Sequence, residues 1–218
     1  MKYKCLVLDH DDTVVRSTEE IHYPSFIEYL KIYRPSFADA YPLPLFLEKN
    51  FDIGLMEIFR RELSMTEEEI SEEGRFWERY VNERIPTVFD GIGEILRKFS
   101  DMGGIIAVSS HSKRSFILRD YLHWGLPEPK VIYAWDDAPE KRKPSPAVIR
   151  DVCERYGILP KDILVVDDAK IGCEMARAAG ADFAAARWSY KVERFEEELR
   201  SVSDFYLDSV SELNRVIF

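Results

Sequence analysis

Five short apolar runs lie along the chain and predict the strands of one sheet. Each run is continuous rather than alternating, and each ends in polar or small residues. This pattern is typical of strands that are buried on both faces of a parallel sheet. The runs cover residues 5–8, 105–108, 131–134, 163–166 and, more weakly, 183–186.

Helical periodicity alternates with these runs. We predict that Ser145 caps the start of one helix and that Gly180 ends another, because both residues are favoured at those positions. Alternation of strands and helices predicts an α/β fold with a doubly wound parallel sheet. The predicted helices cover residues 91–100, 112–122, 146–156 and 171–179.

One long region breaks the alternation. Residues 17–84 show helical periodicity and no convincing strand, and Thr66 is a credible N-cap for a helix over residues 67–81. We interpret this region as a helical insert behind the first strand. The sequence therefore predicts a core domain made of residues 1–15 and 86–218, and an inserted helical domain made of residues 16–85.

Composition and charge narrow the classes of function. The chain has 218 residues and a formal net charge of −10, which argues against binding to nucleic acid or to an anionic membrane. No apolar stretch approaches the about 18 residues that a membrane span needs. The three cysteines lack C-x-x-C spacing, which favours reduced thiols. We expect a cytoplasmic protein that is a monomer or a homodimer.

The chemistry-bearing side chains gather where the predicted strands end. Asp9, Asp11 and Asp12 follow the first run, and Asp167 and Asp168 lie at the end of the fourth. In open α/β sheets, ligands bind outside the carboxyl ends of the strands. Converging carboxylates repel each other, and a bound divalent cation neutralises their negative charge. Ligands that are all oxygen favour Mg²⁺.

Two further side chains suit a phosphoryl group. Ser109 ends the second run, with Ser110 as the competing position, and Lys143 lies in a loop before a predicted helix. A hydroxyl and an ammonium group aimed at one place stabilise phosphoryl oxygens. The basic run 141–143 also predicts a small basic pocket that is suited to a phosphate monoester.

Taken in order, these segments resemble the four motifs of the haloacid dehalogenase superfamily. Residues 9–13 resemble its first motif, D-x-D-x-T, and residues 108–109 its second. Residues 143–146 resemble the lysine motif, and residues 165–168 the final acidic motif. The resemblance covers residues 1–15 and 86–190. The insert lies where this superfamily places a C1-type cap domain, so a Rossmann-like core with a helical cap is implied.

The resemblance also implies a reaction. Asp9 is then the nucleophile that forms an aspartyl-phosphate, and Asp11 is the general acid and base. Ser109 and Lys143 stabilise the phosphoryl oxygens, with Ser110 as the competing position for the serine. The implied enzyme is a Mg²⁺-dependent phosphatase that acts on a small phosphorylated metabolite, because a helical cap restricts substrate size.

The implied metal ligands are carboxylate and carbonyl oxygens. Asp9, the main-chain carbonyl of Asp11 and Asp168 bind Mg²⁺ in this scheme, and Asp167 contributes directly or through water. Many phosphatases of the superfamily have another acid four residues after the final motif aspartate, where this chain has Gly172. The β-phosphoglucomutase-like branch is similar to this chain here, so phosphatase and phosphomutase both stay open.

A second departure concerns the residue after Asp11. Many members have glycine there, whereas this chain has Asp12, which either alters the loop or points to solvent. His111, after the second run, is interpreted as a surface histidine in preference to a pocket residue.

Other functions are less favoured. A 2-haloacid dehalogenase needs neither a metal nor an acid at the position of Asp11. A receiver-like signalling domain is about half as long as this chain. A degenerate phosphate-binding protein does not need intact catalytic acids, which this chain has. A metal phosphohydrolase of the HD type requires several histidines on an all-helical scaffold, and this chain has four histidines in total.

Overall fold

The computed structural model describes residues 1–218 and contains one parallel six-stranded sheet. Its strand order is β3-β2-β1-β4-β5-β6, which confirms the predicted fold class. The first five strands match the five apolar runs. The sixth was not predicted, because it has only three residues and is partly exposed. The strands are β1 (Cys5–Leu8), β2 (Ile105–Ser109), β3 (Val131–Tyr133), β4 (Ile163–Asp167), β5 (Asp182–Ala186) and β6 (Phe205–Leu207).

The first strand lies at the centre of the sheet, between β2 and β4. Leu8 is in register with Val108 on one side and with Val166 on the other. The chain therefore builds the sheet outward in both directions from β1. The residues that follow these three strands emerge level at one edge, at the switch point where open α/β sheets bind ligands.

Eleven α-helices accompany the sheet, and the chain divides into two compact units. The first unit comprises residues 1–16, 88–191 and 195–218, and the second comprises residues 17–87 and 192–194. The helices are α1 (Tyr23–Tyr33), α2 (Pro35–Ala38), α3 (Leu43–Asp52), α4 (Leu55–Glu57), α5 (Glu67–Asn82), α6 (Ile92–Asp101), α7 (Arg114–His123), α8 (Ala147–Tyr156), α9 (Lys170–Ala179), α10 (Glu193–Val202) and α11 (Val210–Ile217).

The sheet of the first unit is buried on both faces. Leu6 and Leu8 pack on one side with residues of α6, α7 and α11. Cys5 and Val7 pack on the other side with residues of α8 and α9. This two-sided burial explains why the strands read as continuous apolar runs. None of the helices is both long and apolar enough to cross a bilayer.

The helix ends test the capping residues that the sequence predicts. Gly180 ends α9 in the left-handed conformation, with φ of 76°, as predicted. Thr66 caps α5 in a reciprocal arrangement in which its hydroxyl accepts from Glu69 N–H and the Glu69 carboxylate accepts from Thr66 N–H. The Ser145 prediction was wrong. The N-cap residue of α8 is Pro146, and the helix begins at Ala147.

The second unit is helical and has its own apolar core. Phe26, Tyr29 and Phe59 are buried there among other apolar side chains. The sequence pattern placed α5 but did not mark α3 as a separate helix. Pro44 lies in the first turn of α3, where proline is tolerated.

Helix α5 carries a buried carboxyl group, Glu73, whose titration we expect to alter stability. Burial raises its pKa to about 7, against a smaller opposing effect of His22. The folded chain then binds a proton that the unfolded chain has already released, so stability falls as pH rises from about 4.5 to 7. Replacement by Gln removes this penalty. Glu73→Gln should be more stable than the wild type by about 3 kcal/mol at pH 8, with the difference vanishing near pH 4.5.

Thermal unfolding at several pH values measures this effect. Glu72→Gln is the matched control, because Glu72 is the exposed neighbour on the same helix. We expect its stability to follow the wild type at every pH. A Glu73→Gln difference that is equally large at pH 5 and at pH 8 would contradict the assignment.

Candidate active site

Three aspartates and one lysine meet at the carboxyl edge of β1 and β4. Asp9, Asp167 and Asp168 each place a carboxylate oxygen within 4.8 Å of the other two, and all three are buried. Lys143 enters this cluster, with Nζ 2.9 Å from Asp9 Oδ1 and 2.7 Å from Asp167 Oδ2. The other oxygen of Asp167 accepts the N–H of Ala169 at 2.9 Å. Residues that are far apart in sequence therefore form one charged cluster.

The cluster holds more negative than positive charge. Burial raises the pKa of Asp168 well above its ordinary value, and the charges of Asp167, Asp9 and Asp12 raise it further. Burial also raises the pKa of Asp167 to about 6, although the ammonium group of Lys143 opposes the shift. Burial by itself lowers the Lys143 pKa, but the two carboxylates more than offset this and raise it. The lysine is therefore charged, and its one positive charge does not balance the negative charge of the aspartates.

Asp11 lies beside this cluster rather than within it. Its Oδ2 accepts the hydroxyl of Ser112 at 2.6 Å and that of Ser110 at 3.4 Å. Ser110 Oγ also accepts the N–H of Ser112 at 3.0 Å, which fixes the turn after β2. Of the two predicted serines, Ser110 is thus the one in contact with a predicted catalytic acid. Ser109 is the buried last residue of β2.

Asp12 does not point to solvent. It is buried, its hydrogen-bond partners include Tyr190, whose hydroxyl donates to Oδ1 at 2.8 Å, and its φ is 57°. This left-handed backbone is the conformation that glycine adopts most readily and that aspartate tolerates. The loop thus keeps the backbone of a glycine position. The indole N–H of Trp188 donates to the Thr13 carbonyl at 3.1 Å and holds the same loop.

Two side-chain pairs that sequence reasoning missed support these loops. His10 Nε2 lies 3.0 Å from Asp120 Oδ2 on α7. Arg187 donates to the Asp168 carbonyl at 2.7 Å and pairs with Glu196 at 2.5 Å. Neither Asp120 nor Arg187 belongs to a motif, so only their burial in the folded chain reveals them.

The basic run 141–143 does not form one pocket, which corrects that prediction. Lys143 is buried among the acids, Lys141 is exposed, and the Arg142 guanidinium lies 4.4 Å from the ring centroid of Trp135. Arg142 has an extended backbone, in which successive side chains point to opposite sides. His111 is exposed, as expected, and its ring contacts that of Trp135.

Comparison with known proteins identifies the family. The model of the family described as "Haloacid dehalogenase-like hydrolase" matches residues 6–186. The chain belongs to this family. A phosphoglycolate phosphatase of Thiobacillus denitrificans is 30% identical to this haloacid dehalogenase-like hydrolase over 111 residues, which are 51% of the chain and 49% of that relative. The chain thus aligns with about half the length of that protein.

Solved structures agree on the fold. A predicted phosphoglycolate phosphatase from Haemophilus somnus 129PT has a TM-score of 0.79 at 20% identity, covering 100% of this chain and 99% of that one. CbbY from Rhodobacter sphaeroides, in complex with xylulose-(1,5)-bisphosphate, has a TM-score of 0.74 at 23% identity, covering 97% and 96%. At these identities the likeness shows the fold alone.

The structure explains why this haloacid dehalogenase-like hydrolase has glycine at position 172. A Cβ there would lie 2.4 Å from both Cβ and Cγ of Asp167. Asp167 cannot move aside without losing Lys143 and the N–H of Ala169. We expect Gly172→Ala to lower stability by about 3 kcal/mol through overpacking, measured by thermal or denaturant unfolding.

Gly74 provides the matched control for this substitution. It also lies in a helix, α5, but a Cβ there would meet nothing within 4 Å. Gly74→Ala should therefore raise stability slightly, since alanine is the better helix former. If Gly172→Ala unfolds like the wild type, other residues have moved to remove the clash with Asp167, and the predicted overpacking is wrong.

Proposed function

We propose that this chain is a Mg²⁺-dependent phosphatase that hydrolyses a small phosphorylated metabolite through an aspartyl-phosphate on Asp9. The observation that carries the proposal is the contact of Lys143 with Asp9 inside the buried acid cluster. The ammonium group holds the Asp9 carboxylate in position, and it offers positive charge where phosphoryl oxygens gather. Asp11, held by Ser112 and Ser110, lies on the same loop.

The residues divide the reaction between them. A carboxylate oxygen of Asp9 attacks phosphorus, the bond to the leaving oxygen breaks, and Asp11 gives that oxygen a proton. Water then attacks the phosphorus of the acyl phosphate, Asp11 takes the proton from that water, and phosphate leaves while Asp9 is regenerated. Lys143 and Ser110 stabilise the equatorial oxygens in both steps.

The acid cluster fits a magnesium ion. Its donors are all carboxylate oxygens, which hard divalent cations prefer. Burial raises the pKa values of Asp168 and Asp167, and the neighbouring carboxylates raise them further. Asp9 and Asp168 would hold the ion together with the Asp11 carbonyl. Since both oxygens of Asp167 already accept hydrogen bonds, we assign Asp167 to positioning Lys143. When bound, Mg²⁺ supplies charge neutralisation for the phosphoryl group.

The substrate class is inferred from relatives and from the insert. The curated relative is a phosphoglycolate phosphatase. We also propose that residues 16–85 serve as the cap domain that limits substrates to small molecules. Phosphoglycolate is therefore the first compound to test.

A screen of phosphorylated metabolites tests the proposal. Purified protein with Mg²⁺ should release inorganic phosphate from at least one small monoester, and removal of the metal with EDTA should abolish that release. An aspartyl-phosphate should be trapped as a hydroxamate when hydroxylamine is present. Absence of phosphate release across the panel, with folded protein and metal present, would overturn the proposal.

A phosphomutase is the second candidate, because Asp167 packed against Gly172 resembles the β-phosphoglucomutase-like branch. Product analysis separates the two activities. A phosphatase releases phosphate into solution, whereas a mutase transfers it between positions of a sugar phosphate without release.

A further inference from the structure

We propose that His111, Trp135 and Arg142, here called the Trp135 wall, bind a second anionic group on the part of the substrate that leaves with the ester oxygen. The proposal rests on the proposed phosphatase function and extends it by naming a substrate feature. The chemistry sought is a carboxylate or a second phosphate.

The side chains of the Trp135 wall contact one another. The rings of His111 and Trp135 meet edge to face, with centroids 5.8 Å apart. On the same indole, the Arg142 guanidinium lies 4.4 Å from the ring centroid. Trp135 is 46% exposed, which is unusual for such a large apolar side chain. Exposed tryptophan and arginine are the residue types most enriched where binding energy concentrates.

Backbone hydrogen bonds fix two members of the Trp135 wall in advance. Arg142 Nε donates to the Asp137 carbonyl at 2.9 Å, and the N–H of Trp135 donates to the Ser112 carbonyl at 2.9 Å. Because these groups are already ordered, binding a ligand to them loses little conformational entropy.

The charge on the Trp135 wall is positive. The carboxylate of Asp137 pairs with Arg114, whereas Arg142 donates to the Asp137 carbonyl and forms no ion pair with a carboxylate. A guanidinium with unused N–H groups matches the planar geometry of a carboxylate or the oxygens of a phosphate. An anionic group is therefore the complementary ligand.

The same contacts connect the Trp135 wall to the catalytic acids. Ser112 accepts from Trp135 through its carbonyl and donates to Asp11 through its hydroxyl. His111 directly follows Ser110, whose hydroxyl donates to Asp11 at 3.4 Å. The leaving group departs toward its proton donor, Asp11, and Ser112 links Asp11 to Trp135, so this group extends toward the Trp135 wall in our proposal.

Substrate discrimination tests this inference. We compare kcat/KM for 2-phosphoglycolate, which has a carboxylate, with that for ethyl phosphate, which has none, in the presence of Mg²⁺. Arg142→Gln should lower the ratio of the two values by about tenfold, mainly through KM, and Trp135→Leu should also lower it. Lys141→Gln, the exposed neighbour, should leave the ratio unchanged. An unchanged ratio in Arg142→Gln, or an equal fall in Lys141→Gln, would overturn the inference.

A bisphosphate and two phosphonates complete the experiment. If the Arg142→Gln effect is larger for ethylene glycol bisphosphate than for 2-phosphoglycolate, the second anion is a phosphate; the reverse identifies a carboxylate. If the wild type hydrolyses none of these compounds, calorimetry still tests the Trp135 wall, independently of the metabolite screen that tests the proposed function. Phosphonoacetate should bind the wild type more tightly than ethylphosphonate does, and Arg142→Gln should remove the difference. Equal binding by the wild type would refute the inference.

Discussion

Replacing Asp9 with asparagine should lower Mg²⁺-dependent phosphate release at least about a thousandfold. The amide oxygen is a poor nucleophile, yet it has the size of a carboxylate oxygen and still accepts a hydrogen bond from Lys143, which lies 2.9 Å from Oδ1. The fold should therefore survive, and the loss should be one of chemistry. Initial rates of phosphate release, together with hydroxylamine trapping of the acyl phosphate, measure it.

Asp12→Asn is the control on the same loop. Asparagine adopts the left-handed backbone of this position readily, and its amide oxygen can still accept from Tyr190. We expect its activity to stay within about tenfold of the wild type. Undiminished turnover by Asp9→Asn would remove Asp9 as the nucleophile. If Asp12→Asn lost as much activity, the loss would come from a disturbed loop and not from the missing nucleophile.

Replacing Lys143 with methionine should destabilise the protein by about 3–5 kcal/mol when a chelator keeps metal away. Asp9 and Asp167 are buried and both lie within 3 Å of the ammonium group, so the substitution leaves two carboxylates without their shared cation. Activity should fall at least about a hundredfold, because positive charge near the phosphoryl oxygens is also lost. Denaturant unfolding and phosphate release give the two readings.

A second substitution separates the charge effect from a packing effect. Adding Asp167→Asn to Lys143→Met removes one uncompensated charge, so it should restore part of the stability but none of the activity. Lys141→Met, at the exposed neighbour, should change neither quantity. If Lys143→Met is as stable as the wild type, the ion pairs contribute no net stability to the fold.

Much of the sheet was predictable, because burial on both faces imposes a local signature. Strands β1 to β5 appear as continuous apolar runs, and the strand–helix alternation was sufficient to predict a parallel sheet. Strand β6 and helix α3 escaped prediction for local reasons. The strand is short and partly exposed, and Pro44 lies in the first turn of the helix, where proline is compatible with it.

The candidate acids were also predictable, because acids that follow buried strands must emerge at one edge of a parallel sheet. Asp9, Asp167 and Asp168 do meet there, and Lys143 joins them. Their catalytic roles remain proposals. What the pattern could not supply is the partner of each group, such as the use of Asp167 to hold the lysine.

The sequence by itself determined the fold class and the acids at the strand ends, since each depends on periodicity or on position after a strand. Tertiary structure alone decided which side chains touch. It placed Ser110 against Asp11, Asp120 behind His10, and Arg142 on Trp135 rather than beside Lys143. Such contacts join residues that are distant in sequence or that point to opposite sides of one strand of backbone. Neither relation leaves a periodic trace in the chain.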